Sequence, residues 1–197
     1  MMDIVFATRN KGKLKEVKKI FSGINVKINS LNDYDKKIDV IEDGKSFEEN
    51  ALKKADGIYQ LLKLPVISDD SGLEVEQLNG APGIYSARYS GENATDKKNN
   101  EKLIEELMQF PIPHLAKFVC VAVYNDGINR LIIQGEFKGQ IISKPRGKNG
   151  FGYDPLFLPD GLDKTSAEID SGLKNKISHR AKAFSKLKEM LLENKLI

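Results

Sequence analysis

The chain has little of several things, and each scarcity excludes a class. It has one cysteine in 197 residues, so no intrachain disulfide can form. That residue, Cys120, stands in the apolar run Phe118-Val119-Cys120-Val121-Ala122-Val123, where a buried, inert thiol is expected. No apolar stretch reaches the length that spans a membrane. The opening Met1-Met2-Asp3-Ile4-Val5-Phe6 lacks the charged start and long apolar run of a signal peptide, so a cytoplasmic location is expected. The charge surplus is only +3, which excludes a polybasic nucleic-acid binder and makes any positive potential local. Repeats, low-complexity tracts and Pro/Ser-rich linkers are absent, and one domain is expected over 1–197. What is present is enough for a core and a soluble surface: 40% hydrophobic and 30% charged residues.

The most informative stretch is Val66-Ile67-Ser68-Asp69-Asp70-Ser71-Gly72-Leu73. A short β-type run ends in two acids, a hydroxyl and a glycine, and a second run follows at Leu73-Glu74-Val75. Two carboxylates ~4 Å apart repel by about 4 kcal/mol at a surface-like dielectric. A proton, a cationic side chain or a metal ion must offset that. A strand that ends this way delivers charge to a sheet edge, where loops usually carry function, and the same residues also make an ordinary Asp-Ser-Gly turn.

The first strand is expected at Asp3 to Ala7, followed by Thr8-Arg9-Asn10-Lys11-Gly12-Lys13. Leu14, Val17, Ile20 and Phe21 then have helical spacing. Strand, polar loop and helix make a potential anion site, because amides at a helix start favour phosphate. The loop is not a Walker A sequence, and taken alone it is better explained as a solvated basic turn. Val26 to Ile28 reads as a strand, and 32–45 as a polar loop with acids at Asp39, Glu42 and Asp43. Ser46 and Glu49 have capping-box spacing for a helix to about Leu62. Asn50 and Lys54 share one face of it.

Gly80 to Tyr89 is a turn-rich loop with two tyrosines and an arginine. Asn93 or Thr95 caps a helix from about Asp96 to Gln109, read as structural. Strands at Phe118–Tyr124 and Arg130–Gln134 flank an Asp126-Gly127 hairpin signal, and a further strand is expected at Gly139–Ser143. In Gly147-Lys148-Asn149-Gly150-Phe151-Gly152-Tyr153-Asp154-Pro155, glycines bracket an aromatic that has few chain neighbours to bury it. Ser178 is placed to cap the last helix, with His179 and Arg180 in its first turn, where the dipole disfavours cations. A lone histidine is more often structural, but Lys174 and Arg180 lie near this one.

Taken together, Thr8 to Lys13, Ser46 to Ala51, Asp69 to Leu73, Gly80 to Tyr89, Gly150 to Pro155 and Ser178-His179-Arg180 resemble the inosine/xanthosine triphosphate pyrophosphatase family. The stretches occur in family order over nearly the whole chain, and six in order are far more specific than any one. The resemblance implies an α/β fold: an elongated, two-lobed structure around a long mixed β-sheet with flanking helices and an active cleft between the lobes. It also implies a homodimer, Mg2+ as cofactor, and hydrolysis of XTP, ITP or dITP to the monophosphate and pyrophosphate. It casts Thr8, Arg9, Asn10, Lys11, Gly12 and Lys13 as the triphosphate loop, with Lys54 facing the phosphates and Ser71 a substrate contact. Asp70 is the implied proton acceptor and metal ligand, with Asp69 and Glu42 as further metal-site acids. Phe151 is the implied stacking aromatic, Gly152, Tyr153 and Asp154 shape the base pocket, and Lys174, His179 and Arg180 read the 6-oxo edge. The departures, Asn149 and Ala181 where glycine is common, leave this chemistry intact.

Residue chemistry agrees with the resemblance. Mg2+ prefers oxygen ligands and keeps waters, and a triphosphate brings more oxygens to the ion. Donors at His179 and Arg180 suit a 6-oxo purine and reject the amino group of adenine. The alternatives are a septum-inhibition-type pyrophosphatase acting on modified pyrimidine or methylated nucleotides, a non-catalytic nucleotide sensor, and a nucleic-acid module. The acid pair argues against a sensor, the modest charge against a nucleic-acid partner, and the lack of a spanning apolar stretch against a membrane.

Overall fold

A computed structural model of the chain describes residues 1–34, 38 and 40–197; Asp39 lies outside them. The fold is mixed α/β, with a six-stranded sheet in the order β2-β1-β3-β4-β5-β6 and flanking helices. The elements in chain order are β1 Met2–Phe6, α1 Lys11–Ile20, β2 Val26–Ser30, α2 Phe47–Leu62 and β3 Val66–Val75. Then come α3 Asp96–Leu107, β4 His114–Asn125, β5 Arg130–Ile141, β6 Phe157–Pro159, α4 Ser171–Ile177 and α5 His179–Glu193. β1 pairs in parallel with both β2 and β3, and β5 pairs antiparallel with β6. No helix among the described residues is long and apolar enough to cross a membrane.

The chain divides into two compact units. The first comprises Met1–Asp70, Cys120–Gly135 and His179–Ile197. Its core gathers Ile4, Phe6 and Ile67 from β1 and β3, Val17 from α1, Cys120 and Ala122 from β4, and Phe184 and Leu187 from α5. Phe6 and Phe184 meet edge to face at 5.4 Å, the arrangement ring quadrupoles prefer. The second unit comprises Ser71–Val119 and Glu136–Ser178. Its core joins Leu73 and Val75 to Leu103 and Leu107 of α3, Phe118, Phe137 and Phe157.

Two sequence expectations are corrected. Val66–Val75 is one ten-residue strand, not two strands around a turn, and it lies inside the sheet rather than at its edge. Turn-forming residues continue the strand here because β3 lies between β1 and β4, and cationic partners offset the charge buried at its middle. Similarly, Arg130–Ile141 is a single strand that takes in much of the segment expected to stand apart. Its glycines mark close approach, not a break. A Cβ at Gly135 would stand 2.3 Å from the His179 carbonyl oxygen, and one at Gly139 would stand 2.3 Å from that of Leu158.

The helix signals hold within a residue or two. Asn10 caps α1, Ser46 caps α2 and Thr95 caps α3, each accepting an N–H from three residues on. Glu49 reaches back one residue further than a capping box requires and accepts the Lys45 N–H. Between β4 and β5, Asp126 accepts the N–H groups of Ile128 and Asn129, and Gly127 takes a positive φ, so the Asp-Gly signal marks a true reversal.

Candidate active site

The first unit carries a basic loop and the two acids. The loop leaves buried β1 and enters α1 at Asn10, whose Oδ1 accepts the Lys13 N–H at 3.0 Å. Thr8 Oγ1 accepts the Asn10 N–H at 3.2 Å, tightening the same turn. No acid occupies the first turn of α1, so its positive end is left for an anion, while the Lys13 ammonium pairs with Asp69. Arg9 turns away from that role: its guanidinium donates to the carbonyls of Leu31 and Ile38 and braces the segment after β2. Lys11 is exposed, and Gly12 and Lys13 are half-buried.

Strand alternation decides what the acids do. Ile67 packs in the core shared with α1 and α5, while Ser68 donates to the Ala51 carbonyl of α2. Asp69 therefore follows Ile67, and Asp70 follows Ser68. Asp69, 1% exposed, meets Lys13 Nζ at 2.9 Å and the Nε and Nη2 of Arg180 at 3.4 Å. Glu16 accepts from Arg180 Nη1 at 2.7 Å, one turn along α1 from Lys13. The Cys120 thiol donates to Asp69 at 3.8 Å. Burial raises the Asp69 carboxyl's pKa, but Lys13, Arg180 and Lys54 outweigh it and hold the group far below the usual carboxylate range. Burial, and then the Asp69 charge, push the Cys120 thiol upward, so it is the inert thiol its strand context implies.

Asp70 faces α2. Asn50 Nδ2 donates to its Oδ2 at 3.0 Å. The other end of that amide accepts the Gly44 N–H at 2.8 Å, which settles which way Asn50 points. Lys54, one turn along, donates to the backbone carbonyl of Asp69 at 3.0 Å and pairs with Glu42 at 2.7 Å. Burial raises the Asp70 pKa above its ordinary value, and the opposing pull of Lys54, Lys13 and Asn50 only partly offsets it. A carboxylate poised upward beside two lysines suits proton acceptance near anionic substrate.

The second unit carries an aromatic cluster. Phe151 is half-buried, with Lys174 Nζ 5.3 Å from its ring centroid. Asp154 accepts from Lys174 Nζ at 2.5 Å and from the Phe151 N–H at 2.9 Å. Tyr153 is buried and donates its hydroxyl to the Ser86 carbonyl at 2.8 Å. Ser86 lies in a 3-10 turn, Gly83–Arg88, where its Oγ accepts the Leu73 N–H. That turn is thus a packed corner of the second unit.

The predicted residues fall into two sets. Thr8, Asn10, Lys13, Glu42, Lys54, Asp69, Asp70, His179 and Arg180 belong to the first unit; Ser71, Phe151, Gly152, Tyr153, Asp154 and Lys174 belong to the second. His179 and Arg180 open α5 as expected and are buried, with Arg180 committed to Asp69 and Glu16. Sequence reasoning passed over Glu16 and gave Asn50 no role. Both could be found by helical spacing, Glu16 three residues after Lys13 and Asn50 four before Lys54.

The three acids expected at a metal, Glu42, Asp69 and Asp70, do not gather into a cage. Among the described residues, no three His, Cys, Asp or Glu side chains are placed to hold an ion. Neighbours in a strand diverge, and Glu42 and Asp69 have cationic partners. The donor set nonetheless fits Mg2+, which takes one or two carboxylates and completes its shell with waters and substrate phosphates. Asp69 Oδ1 is buried with no hydrogen-bond partner, an acceptor of the type such an ion uses.

Known proteins resemble the chain over nearly its whole length. The model of the Ham1 family matches residues 4–190. The chain is 48% identical over 193 residues to a dITP/XTP pyrophosphatase of Geobacter sulfurreducens, covering 97% of each chain. It is 49% identical over 199 residues to a dITP/XTP pyrophosphatase of Clostridium perfringens, covering 97% of this chain and 98% of that one. Among solved structures, a HAM1 protein from Coxiella burnetii superposes with a TM-score of 0.89 at 39% identity, covering 98% of this chain and all of the other.

Proposed function

The chain belongs to the Ham1 family, and on that premise we infer that it hydrolyses non-standard purine nucleoside triphosphates, dITP and XTP among them, to the monophosphate and pyrophosphate. The observation that carries the reading is Asp70: a mostly buried carboxyl, raised in pKa, oriented by Asn50 and subject to the fields of Lys13 and Lys54.

Asp70 accepts a proton from the attacking water, and the water oxygen bonds to the α-phosphorus as the bond to the pyrophosphate oxygen breaks. Thr8, Asn10, Lys13 and the amides between them bind the triphosphate, with Arg9 holding their loop in place. Lys13 and Lys54 stabilise charge on the phosphates and on the departing pyrophosphate. Asp69 and Asp70 would hold Mg2+ with the substrate's own oxygens, while Glu42 stays with Lys54. When bound, the ion supplies charge neutralisation and phosphate orientation.

Base selection falls to Phe151, which stacks on the purine, and to Lys174 and His179, which donate toward a 6-oxo acceptor; Arg180, expected among them, is committed to Asp69 and Glu16 and backs the site from behind. Gly152, Tyr153 and Asp154 shape that pocket, and Ser71 is a further substrate contact. A site built of donors discriminates against an amino group more sharply than an apolar slot does. The whole chain acts as one domain within a homodimer in the cytoplasm, a part of the reading that rests on the family.

Pyrophosphate release from ITP, XTP, GTP and ATP, each with and without Mg2+, tests this. ITP and XTP are expected to be hydrolysed much faster than ATP, and only with the ion. Equal rates on all four nucleotides, or none on any, would overturn it.

A further inference from the structure

We propose that Asp96 and Asn100, one turn apart on α3, are positioning residues that set the angle of the base platform at Phe151. The proposal rests on the reading of Phe151 as the stacking aromatic. α3 looked purely structural in the sequence, a helix whose apolar face covers the core of the second unit. Its other contacts go further.

Both side chains close on one residue. Asp96 Oδ2 accepts the Gly152 N–H at 2.7 Å, and Asn100 Nδ2 donates to the Gly152 carbonyl at 3.1 Å. Residues four apart share a helix face, so the two form one clamp across the glycine that follows Phe151. Gly152 has φ +62, and a Cβ there would meet nothing within 4 Å. The glycine is needed for its backbone conformation, not for space, and that conformation presents both of its polar groups to α3. One residue earlier, the Phe151 backbone N–H is held by Asp154. The backbone around the ring is therefore fixed at both ends.

Asp96 stands in the first turn of α3, where an acid is favoured, and from there it also holds an amide 56 residues away. Asn100 keeps its Oδ1 buried without a hydrogen-bond partner, at a desolvation cost, while its Nδ2 holds the glycine carbonyl. The neighbouring Asn99 fastens the same helix to the Ser86 and Ala87 carbonyls and to Ser90, so the clamp sits on a braced support.

A double-mutant cycle tests this. Asp96→Ala and Asn100→Ala are each measured alone and combined with Phe151→Ala, reading KM and kcat for ITP and the melting temperature. With Phe151 present, each substitution is expected to raise KM by roughly 5- to 10-fold, with kcat changed less than about twofold, as expected for losing one such hydrogen bond. In the Phe151→Ala background the increase should vanish, because the clamp acts through the ring. Asp96→Asn retains an acceptor and should restore most of the affinity lost in Asp96→Ala. A KM increase of equal size in both backgrounds, or none in the parent background, overturns the clamp. A parent enzyme without ITP turnover would overturn the proposed function together with the clamp; an active parent with unchanged variants would overturn the clamp alone.

Discussion

The amide of Asn50 points its Nδ2 at Asp70 Oδ2 from 3.0 Å, and it cannot flip without losing the Gly44 N–H on its other end. A carboxylate held this way offers a defined oxygen to a proton. Asp70→Asn is expected to lower kcat on ITP by roughly 10²-fold or more, as befits loss of a general base. Asn50→Ala, which frees the carboxylate but keeps it, should cost about tenfold. Steady-state turnover on ITP checks both, and near-parent rates in Asp70→Asn would remove that residue from the mechanism.

Asp69 offers a pH dependence of stability. Its carboxyl titrates far below its ordinary 3.8, because Lys13, Arg180 and Lys54 overcome burial. A depressed folded-state pKa adds stability that is complete above the unfolded value and is lost as pH falls below it. Asp69→Asn, which leaves buried cations short of a partner, should therefore destabilise by roughly 3–5 kcal/mol at pH 7. Urea midpoints in EDTA should show the gap between parent and variant closing below about pH 4. A gap that stays constant down to pH 3 would contradict this account.

Phe151→Ala removes the face on which a purine stacks, and aromatic–base stacking contributes about 1–3 kcal/mol. KM for ITP should rise roughly 5- to 100-fold on that basis, with kcat affected less. An unchanged KM would exclude stacking.

Gly135 tests the packing of α5 on β5. A Cβ there would stand 2.3 Å from the His179 carbonyl and 2.6 Å from the Ala183 nitrogen. Backbone atoms cannot swing aside, so Gly135→Ala should destabilise by about 1–3 kcal/mol or more. A melting temperature equal to the parent's would mean the helix shifts freely.

Much of the fold was legible because it is written in local chemistry. Ser46 and Thr95 announce helix starts by side-chain capping, and Asp126-Gly127 announces a reversal by an Asx turn, whereas the cap at Asn10 emerged only with the structure. Asp69 to Gly72 misled for the opposite reason. Their turn preference is a local property, and it gave way to the flanking strands β1 and β4 and to Lys13 and Arg180, which come from distant parts of the sequence. Gly135 and Gly139 resemble strand ends until the backbone they accommodate is known.

The order of residues alone determined where polar loops follow buried strands, which helices are capped, and that six short stretches run in the order of one family. Spacing of three, four or two along the chain decides these matters, and spacing is visible without coordinates. Only tertiary structure decided that adjacent acids part company, one to two cations and one to an amide, and that α3 grips Gly152. Those outcomes depend on which side chains arrive from far along the chain, and no local periodicity encodes that meeting.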